Sequence, residues 1–69
     1  MLKEHDVVTV TVDVPEESLT AGDVGAIVHC YPVREVYEVD FVDEQGGHKC
    51  VATLSGQQLL RLNLVSLSA

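Results

Sequence analysis

Apolar and polar residues take turns at the start of the chain, where Val8, Val10 and Val12 alternate with Thr9, Thr11 and Asp13. A period of two sends successive side chains to opposite faces, so the pattern predicts a strand with one face inward. Pro15-Glu16-Glu17-Ser18 ends it, because proline has no N–H to give to a ladder. The run from Leu19 to Val28 then reads as a loop, with Leu19 folded back on the core, feeding a bent second strand. Gly22 and Gly25 are the residue type that takes positive φ or sits at a bulge without steric cost, and Val24, Ile27 and Val28 favour a pleated, half-buried surface.

After a short loop at Pro32-Val33-Arg34-Glu35, alternation resumes from Val36 to Val42. Tyr37, Val39 and Phe41 share one face and Glu38 and Asp40 the other. Phe41, the single phenylalanine, is the predicted centre of a core that also holds Val8, Val10, Val24, Ile27 and Val39. Asp43-Glu44-Gln45-Gly46-Gly47 is a hairpin signal, and His48 to Leu54 a fourth strand. Ser55-Gly56-Gln57-Gln58 reads as one helical turn, and Leu59 to Leu62 as a short fifth strand. These elements predict an all-β fold: a small five-stranded SH3-like barrel with a single helical turn before the last strand, closed so that its edges are hidden. An OB-like barrel is the alternative. It wants a longer chain and a helix between strands three and four, where this sequence has only Asp43 to Gly47. The expected organisation is one SH3-like domain over residues 1–69, with 63–69 an apolar C-terminal extension.

Length sharpens this picture. A chain of 69 residues buries only roughly 60% of its unfolded surface, so pairing or a staple is expected to support it. Cys30 and Cys50 could make one bridge, but Lys3, Glu4 and Asp6 follow Met1 in place of an apolar leader, and both are read as reduced thiols in a cytoplasm. No apolar run approaches the ~20 residues that span a bilayer. The expectation is a soluble cytoplasmic protein.

Charge narrows the partners. Eleven acids against four bases give a net charge of -7. Such a surface repels phosphate backbones and anionic lipid, so neither nucleic acid nor membrane is an expected partner, whereas a basic protein is. Glu35, Glu38, Asp40, Asp43 and Glu44 form the candidate contact, an acidic stripe along the outward face of the third strand and its turn. Like charges side by side on a sheet cost stability unless a cation offsets them. The other reading, in which the acids only keep a small barrel in solution, stays open. Leu64, Val65 and Leu67 exceed what so small a barrel can enclose, which makes them candidates for self-association as a homodimer or for addition to a partner's sheet. A frayed terminus is the other reading of that tail.

The pieces His5-Asp6-Val7-Val8, Val14-Pro15-Glu16-Glu17-Ser18-Leu19, Ala21-Gly22-Asp23-Val24-Gly25, Tyr37-Glu38-Val39-Asp40-Phe41-Val42-Asp43 and Thr53-Leu54 to Leu59 cover nearly the whole chain. In this order and spacing they resemble a family of short bacterial proteins known as domain of unknown function forty-nine twenty-six. The resemblance implies an SH3-like fold. It brings no established activity, so no catalytic residue is carried over. The chain departs from the resemblance after Arg61, where it continues through Asn63-Leu64-Val65-Ser66-Leu67.

Candidate chemistry is sparse. His29, Cys30, His48 and Cys50 are soft metal-ligand types, and alternation puts His48 and Cys50 on one side of a strand but His29 and Cys30 on opposite faces. At most three converge, without the close paired spacing of a zinc ribbon, so no metal or other cofactor is expected. A Cys-His nucleophilic pair has no accompanying oxyanion hole, and an enzyme is not the expectation. Two function classes stay open. One is a protein-binding module, such as an immunity or antitoxin-like neutraliser of a basic partner. The other is a small accessory subunit of a larger redox or enzyme complex.

Overall fold

The computed structural model describes residues 2–63, so the tail candidates Leu64, Val65 and Leu67 lie outside the described residues. Five strands form: β1 (Val7–Val10), β2 (Val24–Tyr31), β3 (Val36–Val42), β4 (His48–Ser55) and β5 (Leu59–Arg61). All neighbours are antiparallel, in the order β4-β3-β2-β1-β5. The first four make a meander, and β5 returns along the far side of β1. Two 3-10 turns complete the described residues, Pro15–Glu17 in the first loop and Gly56–Gln58 before β5. The expected helical turn carries a full capping box: Ser55 Oγ accepts from the Gln57 N–H, and Gln58 Oε1 accepts from the Ser55 N–H.

Inward residues of all five strands meet in one cluster with Val14 and Leu19 from the first loop. Val8, Val10, Ile27, Val39 and Phe41 are fully buried, as their alternation predicts. Leu19 folds back on them, and its backbone bridges to Val14.

Four expectations are corrected. The sheet is not closed into a barrel, because the edge strands β4 and β5 share no ladder. All three residues of β5 pair with β1, and the 3-10 turn that delivers them is bonded to Glu35 before β3 and to Thr11 after β1, so among the described residues no ladder joins β5 to β4's outer edge. Val24 is only partly buried. Gly25 and Ile27 hold the inward phase of β2, and a residue adjacent to Gly25 falls on the other face. The irregularity in β2 lies after Ile27, where Val28 is skipped in the register and the phase changes, so that Cys30, not His29, packs against the core. Strand β1 stops at Val10, leaving Val12 exposed. Gly22, at φ 100°, donates its N–H to the Val10 carbonyl and swings the chain away from β1 there.

Candidate functional site

Strand β3 crosses the middle of the sheet and carries the candidate stripe. Glu38 lies between His29 on β2 and Thr53 on β4, and Asp40 between Ala26 and Val51. Because Tyr37, Val39 and Phe41 are buried beneath them, both carboxylates face outward, as expected from the alternation. The remaining three acids are placed differently. Glu35 ends the β2–β3 loop in a left-handed conformation, φ 53°, and its carbonyl accepts from the Gly56 N–H. Asp43 shapes the β3–β4 turn, its Oδ1 accepting from the N–H groups of Gln45 and Gly47. Glu44 is exposed in the same turn.

Two neighbours of the stripe were not expected from sequence as partners of its acids: Tyr31 was not singled out, and His48 was singled out only as a soft metal-ligand type. Tyr31 donates its hydroxyl to Glu38 Oε1 at 2.7 Å, and that carboxylate holds the phenol above its ordinary range. His48 Nδ1 lies 2.8 Å from Asp40 Oδ1. Both contacts are diagonal across an antiparallel pair, Tyr31 standing opposite Val36 and His48 opposite Val42. The hairpin register is the signal that could have found them. Among the described residues no lysine or arginine pairs with Glu35, Glu38, Asp40, Asp43 or Glu44. The ion pairs made by those cations are Lys49 with Asp23 at 2.8 Å and Arg61 with Asp6 at 3.4 Å.

Apolar surface lies beside the acids. Tyr31, Pro32, Val33, Arg34, Val36 and Thr53 line an open groove of about 370 Å³ at one end of the stripe, and Val33 there is 96% exposed. At the other end a depression of about 670 Å³ is bordered by Asp23, Asp43, Glu44, His48 and Lys49. Asp23 is held by Lys49 and by the Thr20 N–H, and Asp43 by its turn.

The soft ligand types do not converge. His29 faces Glu4 at 3.9 Å and meets the Tyr31 ring edge-on, while His48 turns to Asp40. Cys30 and Cys50 pack against the core. The expectation that His48 and Cys50 share a side of β4 is overturned by a register shift between Phe41 and Val42, which puts an extra residue between them. The two thiols are free. Cys30 stands opposite Tyr37 and Cys50 opposite Phe41, four residues along β3, or roughly 13 Å at ~3.3 Å per residue, against the ~7 Å limit for bridged Cα atoms. Among the described residues no three His, Cys, Asp or Glu are grouped to hold a metal ion, and no helix is long and apolar enough to cross a membrane.

Family comparison adds one finding. A family model described as "Domain of unknown function (DUF4926)" matches residues 4–61, most of the chain. The chain belongs to this family. The DUF4926 match ends on the last residue of β5, so it spans every strand and stops where the sequence departs from the resemblance. No curated protein and no solved structure gives a significant match.

The Lys49–Asp23 pair ties β4 to the turn that opens β2 in this DUF4926 domain, and it predicts a pH response. The Lys49 ammonium, with the Thr20 N–H, holds the Asp23 carboxyl below its ordinary 3.8. A depressed folded value stabilises the native state above the unfolded pKa, and that contribution disappears as pH falls through the folded value. Thermal melts of Asp23→Asn are therefore expected to lose melting temperature less steeply than the parent as pH is lowered below about 4. Parallel curves in circular dichroism would show that the pair contributes nothing.

Proposed function

We propose that this DUF4926 domain is a non-enzymatic acidic module that binds a basic protein, in the manner of an immunity or antitoxin-type neutraliser, in the cytoplasm. The observation that carries this reading is the stripe of Glu38 and Asp40, outward on the central strand and matched by no lysine or arginine among the described residues. Within the sheet Glu38 is met by a neutral phenol and Asp40 by a histidine. Both carboxylates keep lone pairs for donors from outside, and arginine and lysine are the side chains that make charge-assisted bonds to them. The apolar groove at Tyr31, Val33 and Val36 gives such a partner something to anchor on, while the charges set orientation and association rate.

Competing surfaces do not fit as well. With a net charge of -7 the chain repels nucleic acid and anionic lipid at long range. The test is capture from a lysate of the source organism on immobilised protein, at low and high salt, with the parent and with Glu38→Lys combined with Asp40→Lys. A basic protein is expected on the parent at low salt. It should be lost in high salt, where the Debye length falls to roughly 3 Å, and lost on the doubly reversed variant. A captured partner that is acidic, or that stays on the variant, would leave the acids as a solubility face only. Co-purification of the chain inside a multi-subunit enzyme would favour the accessory-subunit reading.

A further inference from the structure

The outer edge of β4 is a ready-made pairing site, and we infer that a second copy of this chain occupies it, β4 against β4. The ladder gives the direction of every backbone group on that strand. The Gly56 N–H donates to the Glu35 carbonyl at 3.0 Å, which makes Glu35 and Gly56 a hydrogen-bonded pair at the end of the β3–β4 ladder. Such pairs alternate along an antiparallel ladder, so Val36 with Ser55, Glu38 with Thr53 and Asp40 with Val51 are the non-bonded pairs. On β4 their N–H and C=O groups therefore point away from β3. Ser55 bears this out, its N–H being taken by Gln58 Oε1 of the following turn. Val51 and Thr53 have no such cap, and no described residue bonds to their outward-pointing backbone groups.

Edge strands are normally blunted by proline, charge or a bulge. Here the bulge and the one charged residue, Lys49, lie at the start of β4, and Cys50 to Ser55 carry neither charge nor proline. Val51 stands half exposed on this edge. A two-fold axis through Ala52 sets Val51 opposite Thr53 of the partner and Thr53 opposite Val51, each pair exchanging both backbone bonds. It also continues the sheet with inner faces on one side, since Ala52 meets its own copy there.

Charge selects a second copy for this edge. The acids of the chain all lie between Glu4 and Glu44, and Gly46 to Ala69 contains none. Across a β4–β4 seam the two Glu38–Asp40 stripes stand three strand spacings apart, roughly 14 Å, beyond the ~8 Å screening length at physiological salt. Two chains of charge -7 thus meet with no acid facing an acid on the paired strands. The seam leaves the outward face of β3 to the basic partner, so it does not depend on that reading.

The experiment is light scattering across a dilution series on the full chain, on Val51→Lys combined with Thr53→Lys, on Thr53→Pro, and on a chain ending at Asn63. Thr53→Pro removes a donor at the edge and none from the β3 ladder. The double lysine variant keeps every backbone group and decides the matter where the proline variant does not fold. The parent is expected at twice 7.5 kDa when concentrated, falling to 7.5 kDa on dilution. Both edge variants should stay at 7.5 kDa, and the chain ending at Asn63 should dimerise like the parent. Amide exchange at Val51 and Thr53 should slow with concentration in the parent and in the chain ending at Asn63, and the double lysine variant should show no such slowing. A parent that is monomeric throughout, or a dimer that survives the double lysine variant, overturns the seam. A dimer abolished by removing residues 64–69 also overturns it, and assigns self-association to Leu64, Val65 and Leu67.

Discussion

Phe41→Ala is expected to remove about 3–5 kcal/mol, much of the stability of a domain this size. Phe41 is the largest of the fully buried side chains, on the central strand, with Gly25 of β2 on one side and Cys50 of β4 on the other. Truncation both forfeits the transfer free energy that the deleted ring gained on burial and opens a cavity that neighbours held in two ladders cannot collapse to fill. Each kcal/mol moves the melting temperature of a 60–100-residue domain by roughly 4–8 °C, so a fall of more than about 12 °C is expected by circular dichroism. A cooperative melt within a few degrees of the parent would remove Phe41 from the centre of the core.

Gly25→Ala is expected to cost about 1–3 kcal/mol or more, for a reason that lies in contact and not in torsion. A Cβ at Gly25 would stand 2.6 Å from the Asp40 carbonyl oxygen, 2.8 Å from Val39 Cγ1 and 3.0 Å from Phe41 Cα. Two of these three atoms are backbone of the central strand, so relief requires β2 and β3 to part where Glu38 and Asp40 are positioned. Gly22 is the opposite case: its φ of 100° demands glycine while the space around it is open. Urea titration reads the loss directly. A Gly25→Ala protein with an unchanged midpoint would mean that the two strands separate at no cost.

The two glycines show how far the chain could be read. Both were legible as special positions, but sequence assigns residue type, and the two physical reasons for glycine, free torsion and close approach, look alike until the neighbouring strand is in place. Val24 makes the same point. Its β-branched side chain suits the core by type, yet the phase of β2 is set by Ile27 and Gly25, and one position puts Val24 on the other face. Register shifts are likewise invisible in the alternation. The one beside Val42 separates His48 from Cys50, and the one after Ile27 brings Cys50's counterpart, Cys30, to the core.

The local alternation of Val8 and Val10, of Tyr37, Val39 and Phe41, and the turn chemistry of Asp43 to Gly47 and Ser55 to Gln58, by themselves determined the strands, the connecting turns and the outward placement of Glu38 and Asp40. Each of these depends on interactions within a few residues, which the sequence states in order. Only the tertiary structure decided that Lys49 is bound to Asp23 from 26 residues away and that the sheet stays open between β4 and β5. Those outcomes follow from which strands lie side by side and in what register, and backbone pairing across distant segments leaves no periodic trace in the chain that makes it.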